Sequence, residues 1–329
     1  MKLTFAPTRI AAATVAAFGL IGVAPSAHAV ATGEVQALVQ IQNFAFYNNA
    51  TNTVLNATTD FSAFLALDDA SVNATLNGAP APQNTSVLAA PPSPPLDLLQ
   101  AQIGSPYGQN NFGQHSAPPA GYFARADQQL NGALVNGIAG VTAPAASGLV
   151  AEVGLNGPGQ GTANTTSGTS GTVVFVPTLN NLQVRIDFQA NSWLYAQLSP
   201  ALVGRASQSL SFQLIDTTTN ATVFTWSPDG GIGGIFGGTE LLDPFSLNNG
   251  VGADIFSNGP NCYPLNNCTN NGFGSFSART NGLTAGDTYQ LTFSQTTTAN
   301  LTTVPEPGSL ALVGLALLGV GAFRRRWMS

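Results

Sequence analysis

The sequence predicts an all-β protein: a single antiparallel β-sandwich, with a jelly roll as one topology that fits, carrying long Gly/Pro/Asn-rich loops and one C-terminal transmembrane helix. Three observations predict it. Several segments alternate apolar and polar residues, no long stretch repeats every 3.6 residues, and loops rich in glycine, proline and asparagine separate the alternating segments.

Leu182 to Gln189 alternates without a fault, and so does Asp287 to Ser294. Period two gives a strand one buried face and one wet face. Val35, Ala37, Val39 and Ile41 share a face, after which Phe44 and Phe46 fall out of phase. A bulge near Asn43 would return both rings to the core. Further strands are expected at 61–67, 133–138, 149–153, 172–176, 192–198, 209–215 and 222–226. Asp216 to Asn220 has the composition of a hairpin loop. Residues 124–135 read as a short helix interrupted by Gly132. Residues 91–97 are proline-rich and extended. Residues 108–121 and 157–171 read as polar loops, and 227–238 as a glycine-rich one.

The two ends are specialised. Lys2 and Arg9 precede the uncharged apolar run Ile10 to Val23, and Ala27-His28-Ala29 places small residues at a cut. This is the order of a secretory signal peptide, to be removed by signal peptidase after Ala29. At the other end Pro305-Glu306-Pro307 precedes an apolar segment, Ser309 to Phe323, and then Arg324, Arg325 and Arg326. An apolar helix of that length spans about 22 Å, short for a hydrocarbon core of about 30 Å. The arginines stay cytoplasmic, so all that precedes Ser309 lies outside the inner membrane. The expected layout is therefore a signal peptide (1–29), an extracellular β-rich domain (30–300), a linker with the Pro-Glu-Pro triplet (301–308), a transmembrane helix (309–323) and a cytoplasmic basic tail (324–329).

Between residues 30 and 304 stand four arginines, no lysine and fourteen acids, a formal charge of −10. Such a surface repels phosphate backbones, so nucleic acid is excluded as a partner. Cys262 and Cys268 are an isolated close pair, which in an oxidising compartment reads as a disulfide. His115 is the single histidine after the signal peptide. No G-x-S-x-G elbow accompanies it, and a zinc site around it would have to be completed by Asp and Glu, so it reads as a solvated loop residue. Glu152, Glu240 and Asp243 are candidate carboxylates for a hydrolase. Asp68, Asp69 and Asp229 offer hard oxygen ligands for Ca²⁺ but form no D-x-D-x-D-G loop. No other cofactor or metal is expected. Trp193, Tyr195 and Trp226 are the candidates for stacking on sugar rings; the competing reading places them in the core. N-x-S/T triplets begin at Asn49, Asn56, Asn73, Asn84, Asn164, Asn220, Asn267 and Asn300.

The tail, Val304 to Gly308 followed by the apolar span and the arginine cluster, closely resembles the PEP-CTERM sorting tail of Gram-negative bacteria. The resemblance implies processing near the triplet by an exosortase, a membrane-embedded Cys protease-transpeptidase. It also implies transfer to the cell surface or an exopolysaccharide matrix. GYFARADQQLNGA, VFTWSPDG, DPFSLNNG and GLTAGDTYQLTFSQTTTAN resemble a group of PEP-CTERM surface proteins of unassigned activity, so no catalytic residue follows from them. The expected function is that of an exported, exosortase-sorted surface or matrix protein with a structural or adhesive role, not an enzyme. A carbohydrate-binding module is the alternative, and a carboxylate-dependent hydrolase the third reading.

Overall fold

The computed structural model describes residues 30–82, 96–108, 111–115, 121–158, 162–199, 202–253, 261–263 and 272–304. The signal peptide with Ala29, Cys268, the triplet Pro305-Glu306-Pro307, the apolar span and Arg324 to Arg326 lie outside the described residues. The described residues contain no helix long and apolar enough to cross a membrane.

In chain order the strands are β1 (Val30–Asn48), β2 (Thr53–Val54), β3 (Phe61–Leu76), β4 (Ala79–Pro80), β5 (Leu96–Ile103), β6 (Gly121–Asn131), β7 (Ala145–Pro158), β8 (Thr162–Pro177), β9 (Val184–Leu198), β10 (Leu202–Asp216), β11 (Ala221–Trp226), β12 (Ile235–Phe236), β13 (Gly238–Leu242), β14 (Asn249–Ala253), β15 (Asn261–Tyr263), β16 (Gly274–Thr280) and β17 (Tyr289–Thr303). They build two antiparallel sheets packed face to face. One runs β13-β16-β9-β1-β7-β6-β5, with β15 beside β9 and β2 beside β1. The other runs β12-β11-β10-β17-β8-β3-β4, with β14 beside β10.

Alternation decides what each sheet turns inward. At one end of the sandwich the inner faces carry aromatic residues, among them Phe44, Phe46, Phe188, Phe212, Trp226, Phe276 and Phe293. At the other end they carry smaller ones, among them Ala37, Ala126, Ala151, Val153, Leu194 and Leu202. Removing such surface from water is the main stabilising term, about 25 cal/mol per Å². The register of β1 shifts between Ile41 and Phe44 against β7, and Asn43 adopts φ 56°. This is the expected bulge, and it returns Phe44 and Phe46 to the core at 5% and 1% exposure. Asp216 to Asn220 closes the β10–β11 hairpin. Asp216 Oδ1 accepts from the backbone N–H groups of Thr218 and Thr219, and Asn220 takes φ 57°.

Three expectations are corrected. Residues 124–135 do not form a helix: Gly121 to Asn131 is strand β6, and a loop follows. Its alanines, which favour a helix intrinsically, sit at every second position and pack between the sheets, so tertiary burial overrides propensity. Residues 157–171 are not an open loop. β7 continues to Pro158, and β8, from Thr162, is laddered on one side by β17 and on the other by β3. Two neighbouring strands satisfy that backbone although its side chains are short and polar. Residues 133–138 form no strand, holding only a bridge from Asn136 to Asn56.

Candidate functional site

The outer face of the nine-stranded sheet is where the structure assembles chemistry. Register places Arg125 (β6) opposite Glu152 (β7), Glu152 opposite Gln36 (β1), Gln36 opposite Tyr195 (β9), and Tyr195 opposite Cys262 (β15). All five point away from the sandwich core, because their sequence neighbours Ala124, Ala126, Ala151, Val153, Val35, Ala37, Leu194 and Ala196 fill it. Glu34 stands on the same face of β1, two residues before Gln36. A half-polar outer face of this kind would ordinarily be wet.

It is dry because the chain after β5 lies across it. Gly104, at φ 66°, starts the crossing; a Cβ there would sit 2.3 Å from the Tyr122 carbonyl oxygen. Gln36 then holds the crossing segment as a backbone strand would. Its amide nitrogen donates to the Gly113 carbonyl at 2.9 Å, and its amide oxygen accepts from the His115 N–H at 2.9 Å. Phe112 packs on the apolar patch of Leu38, Val150, Trp193, Tyr195 and Cys262, its ring 3.2 Å from where a Gly148 Cβ would be. Tyr107 stacks on the His115 ring, centroids 3.7 Å apart and planes within 6°. The Phe123 ring fills the space that any side chain at position 154 would need.

Under this strap lie buried ionisable groups. Glu34, Arg125 and Glu152 are each 0% exposed. His115 Nδ1 is 2.7 Å from Glu152 Oε1, so a proton lies between them. Arg125 Nη2 is 3.3 Å from Glu152 Oε2 and donates to the Asn111 carbonyl at 2.7 Å; its guanidinium lies 5.3 Å from the Tyr107 ring centre. Both oxygens of Glu34 lack a donor among the described residues. Oxygen or nitrogen atoms of Glu34, His115 and Glu152 all fall within 4.8 Å of one another. Burial pushes the Glu34 carboxyl up to about 9, and the Glu152 carboxylate adds to the shift. Burial raises Glu152 too, against the pull of Arg125. Burial lowers His115, and the Arg125 charge lowers it further. With its proton Glu34 is neutral and can share it with Glu152; without it, the group needs another positive partner.

The residues singled out from sequence are scattered. Glu152 belongs to this cluster. Glu240 does not: it pairs at the level of Ala278 and Ile186, nine residues along β9 from Tyr195, about 30 Å away. Glu240 is 4% exposed; it accepts from the Trp226 indole N–H at 2.6 Å and from the Gly233 N–H at 2.8 Å. Asp243 accepts the N–H groups of Asp229 and Gly230, each at 2.8 Å, and burial raises its carboxyl to about 6. The backbones of Asp68 and Asp229 lie far apart. Register runs from Asp68 through Gly171, Phe293 and Phe212 to Trp226, four strand spacings or about 19 Å, and Asp229 lies beyond.

The three aromatics reserved for sugars expose no stacking face. Trp226 is 1% exposed within the aromatic core, while Trp193 and Tyr195 are 3% and 2% exposed under Phe112. Cys262 is 2% exposed on β15; its expected partner lies outside the described residues. The reading of His115 as a solvated loop residue is corrected most sharply, because its side chain is 16% exposed and joined to Glu152. Sequence reasoning missed Glu34, Gln36 and Arg125. The available signal was a charge at every second place within apolar runs, as in Ala-Arg-Ala-Asp (124–127) and Val-Ala-Glu-Val (150–153).

Residues 303–326 match the PEP-CTERM protein-sorting motif. No curated protein matches the chain.

Proposed function

From the premise that the chain carries a PEP-CTERM sorting motif, which marks it as an exported, exosortase-processed surface protein, we propose that it serves a structural or adhesive role in the cell surface or its exopolysaccharide matrix and is not an enzyme. The observation that carries this reading is where the motif begins. β17 ends at Thr303, where the motif starts, and β17 is an inner strand. It is laddered to β10 from Leu202↔Thr303 to Asp216↔Tyr289, and to β8 from Thr162↔Thr302 to Phe175↔Tyr289. A pull on the attached end therefore loads two long ladders in shear, so many backbone hydrogen bonds must break together. That suits a domain held by its C-terminus in a matrix.

Other features support a non-catalytic role. Glu34 and Glu152 are sealed from any substrate, and Glu240 is occupied by Trp226 and Gly233. The burial of Trp193, Tyr195 and Trp226 takes support away from a carbohydrate-binding module. A disulfide between Cys262 and Cys268 belongs to the proposal, as does removal of residues 1–29.

The test is the C-terminal peptide of the protein recovered from the native surface, read by mass spectrometry with and without the exosortase. The expected peptide ends, or carries an adduct, at or near Pro305 to Pro307 only when the exosortase is present. Recovery with Trp327 and Ser329 still attached would overturn the sorting step and leave an inner-membrane tether. Deleting residues 30–300 while keeping both sorting signals should loosen the matrix; an unchanged matrix would overturn the structural role.

A further inference from the structure

We propose that Glu34, His115 and Glu152 bind one divalent transition-metal cation of the zinc class, and that this ion locks the strap (residues 104–108 and 111–115) onto the outer face of the sheet. The three side chains come from β1, the strap and β7, and their candidate ligand atoms already lie within 4.8 Å of one another. Glu34 supplies the independent sign of a missing ligand. Its carboxyl is wholly buried, neither oxygen has a donor among the described residues, and one of them belongs to the group that converges on His115 and Glu152. A buried polar group of this kind is costly unless something pairs with it.

Charge points the same way. With both carboxylates ionised, as binding a cation requires, Glu34 and Glu152 stand against the buried charge of Arg125, an excess of one negative charge. A bound cation offsets that excess. The donor set selects among cations. One imidazole nitrogen with two carboxylates suits zinc, whose bonds to such ligands are about 2.0–2.2 Å. The hard ions Ca²⁺ and Mg²⁺ prefer oxygen alone, and Cu(I) prefers sulfur. His115 would ligate through Nδ1, the nitrogen facing Glu152, with the ion replacing the proton now shared there. The ring is already oriented, by Tyr107 stacked on its face and by the backbone bond from its N–H to Gln36. The partly exposed edge of His115 gives an ion a way in.

The inference stands apart from the sorting reading, since none of the three ligand residues belongs to the motif at 303–326. It is tested on the exported protein from cells expressing the whole chain, stripped with chelator and titrated separately with Zn²⁺, Mn²⁺ and Ca²⁺. One equivalent of Zn²⁺ is expected to bind, with Ca²⁺ at least ~100-fold weaker. Glu34→Gln and His115→Gln should each weaken Zn²⁺ by a factor on the order of 10². His115 is the single histidine after Ala29, so ¹⁵N-histidine labelling reads the site without any variant. Zn²⁺ should shift the Nδ1 resonance of that one ring. Either no stoichiometric uptake by the wild-type protein, or uptake that leaves the His115 resonances unmoved, overturns the proposal. So does Zn²⁺ affinity unchanged by either substitution.

Discussion

Phe44→Ala tests the core and the bulge that places Phe44 in it. The Phe44 ring is 5% exposed. It meets the rings of Phe46, Phe188, Phe212 and Phe293 edge-on, with centroids 5.6–5.9 Å apart. Those partners come from β1, β9, β10 and β17, so the ring bridges both sheets. A phenylalanine buries about 150–250 Å². At about 25 cal/mol per Å² the transfer term alone is about 4–6 kcal/mol, less what alanine retains. Rings held by four other rings cannot collapse into the gap, so a cavity term adds to the loss. The expected cost is about 4–5 kcal/mol, the upper part of the range for Phe→Ala. The assay is urea unfolding of the exported protein, followed by tryptophan fluorescence, with Phe236→Ala as control because Phe236 is 60% exposed. The control should stay within about 0.5 kcal/mol of wild type. A Phe44→Ala cost below about 1 kcal/mol would refute the reasoning, since it would put the ring on the wet face that strict alternation after Ile41 assigns to it.

Arg125→Met leaves Glu152 buried beside an apolar side chain and should cost about 3–5 kcal/mol in chelator-treated protein. Adding Glu152→Gln should recover part of it; a fully additive double variant in urea unfolding would show that the pair is not coupled. Asp243 is an acid whose folded carboxyl is raised, so the unfolded chain ionises first. Its contribution is favourable at low pH and is lost as pH rises from about 4 to about 6. Asp243→Asn keeps an acceptor for the Asp229 and Gly230 N–H groups, and should flatten that fall in thermal melts between pH 4 and 7. An unchanged pH slope would assign the titration elsewhere. Trp226→Phe removes the donor to the buried Glu240 oxygen, at a cost of about 1–3 kcal/mol. A Trp226→Phe variant as stable as wild type by urea unfolding would mean that the carboxylate finds another donor.

What the sequence by itself determined is local. Period two in 182–189 and 287–294 names strands because successive side chains point to opposite faces, whatever the partner strand is. Asn43 marks the bulge because two phenylalanines fall out of phase on either side of a residue that tolerates positive φ. Asp216 to Asn220 closes a hairpin with its own side chain, and the tail carries its address in contiguous residues. Only the tertiary structure decided the outer face. Glu34, His115 and Glu152 come together through register across β1 and β7 and through a strap laid over them. None of those pairings leaves a mark on any one segment. Alternation put Val35, Ala37, Val39 and Ile41 on one face of β1; it could not tell that the opposite face would be covered as well. Burial of a face depends on what packs upon it, and that is a property of the whole chain. The same limit explains residues 157–171, whose polar side chains conceal a backbone held by β3 and β17, and Trp193 and Tyr195, which are buried on the side of the sheet away from the core.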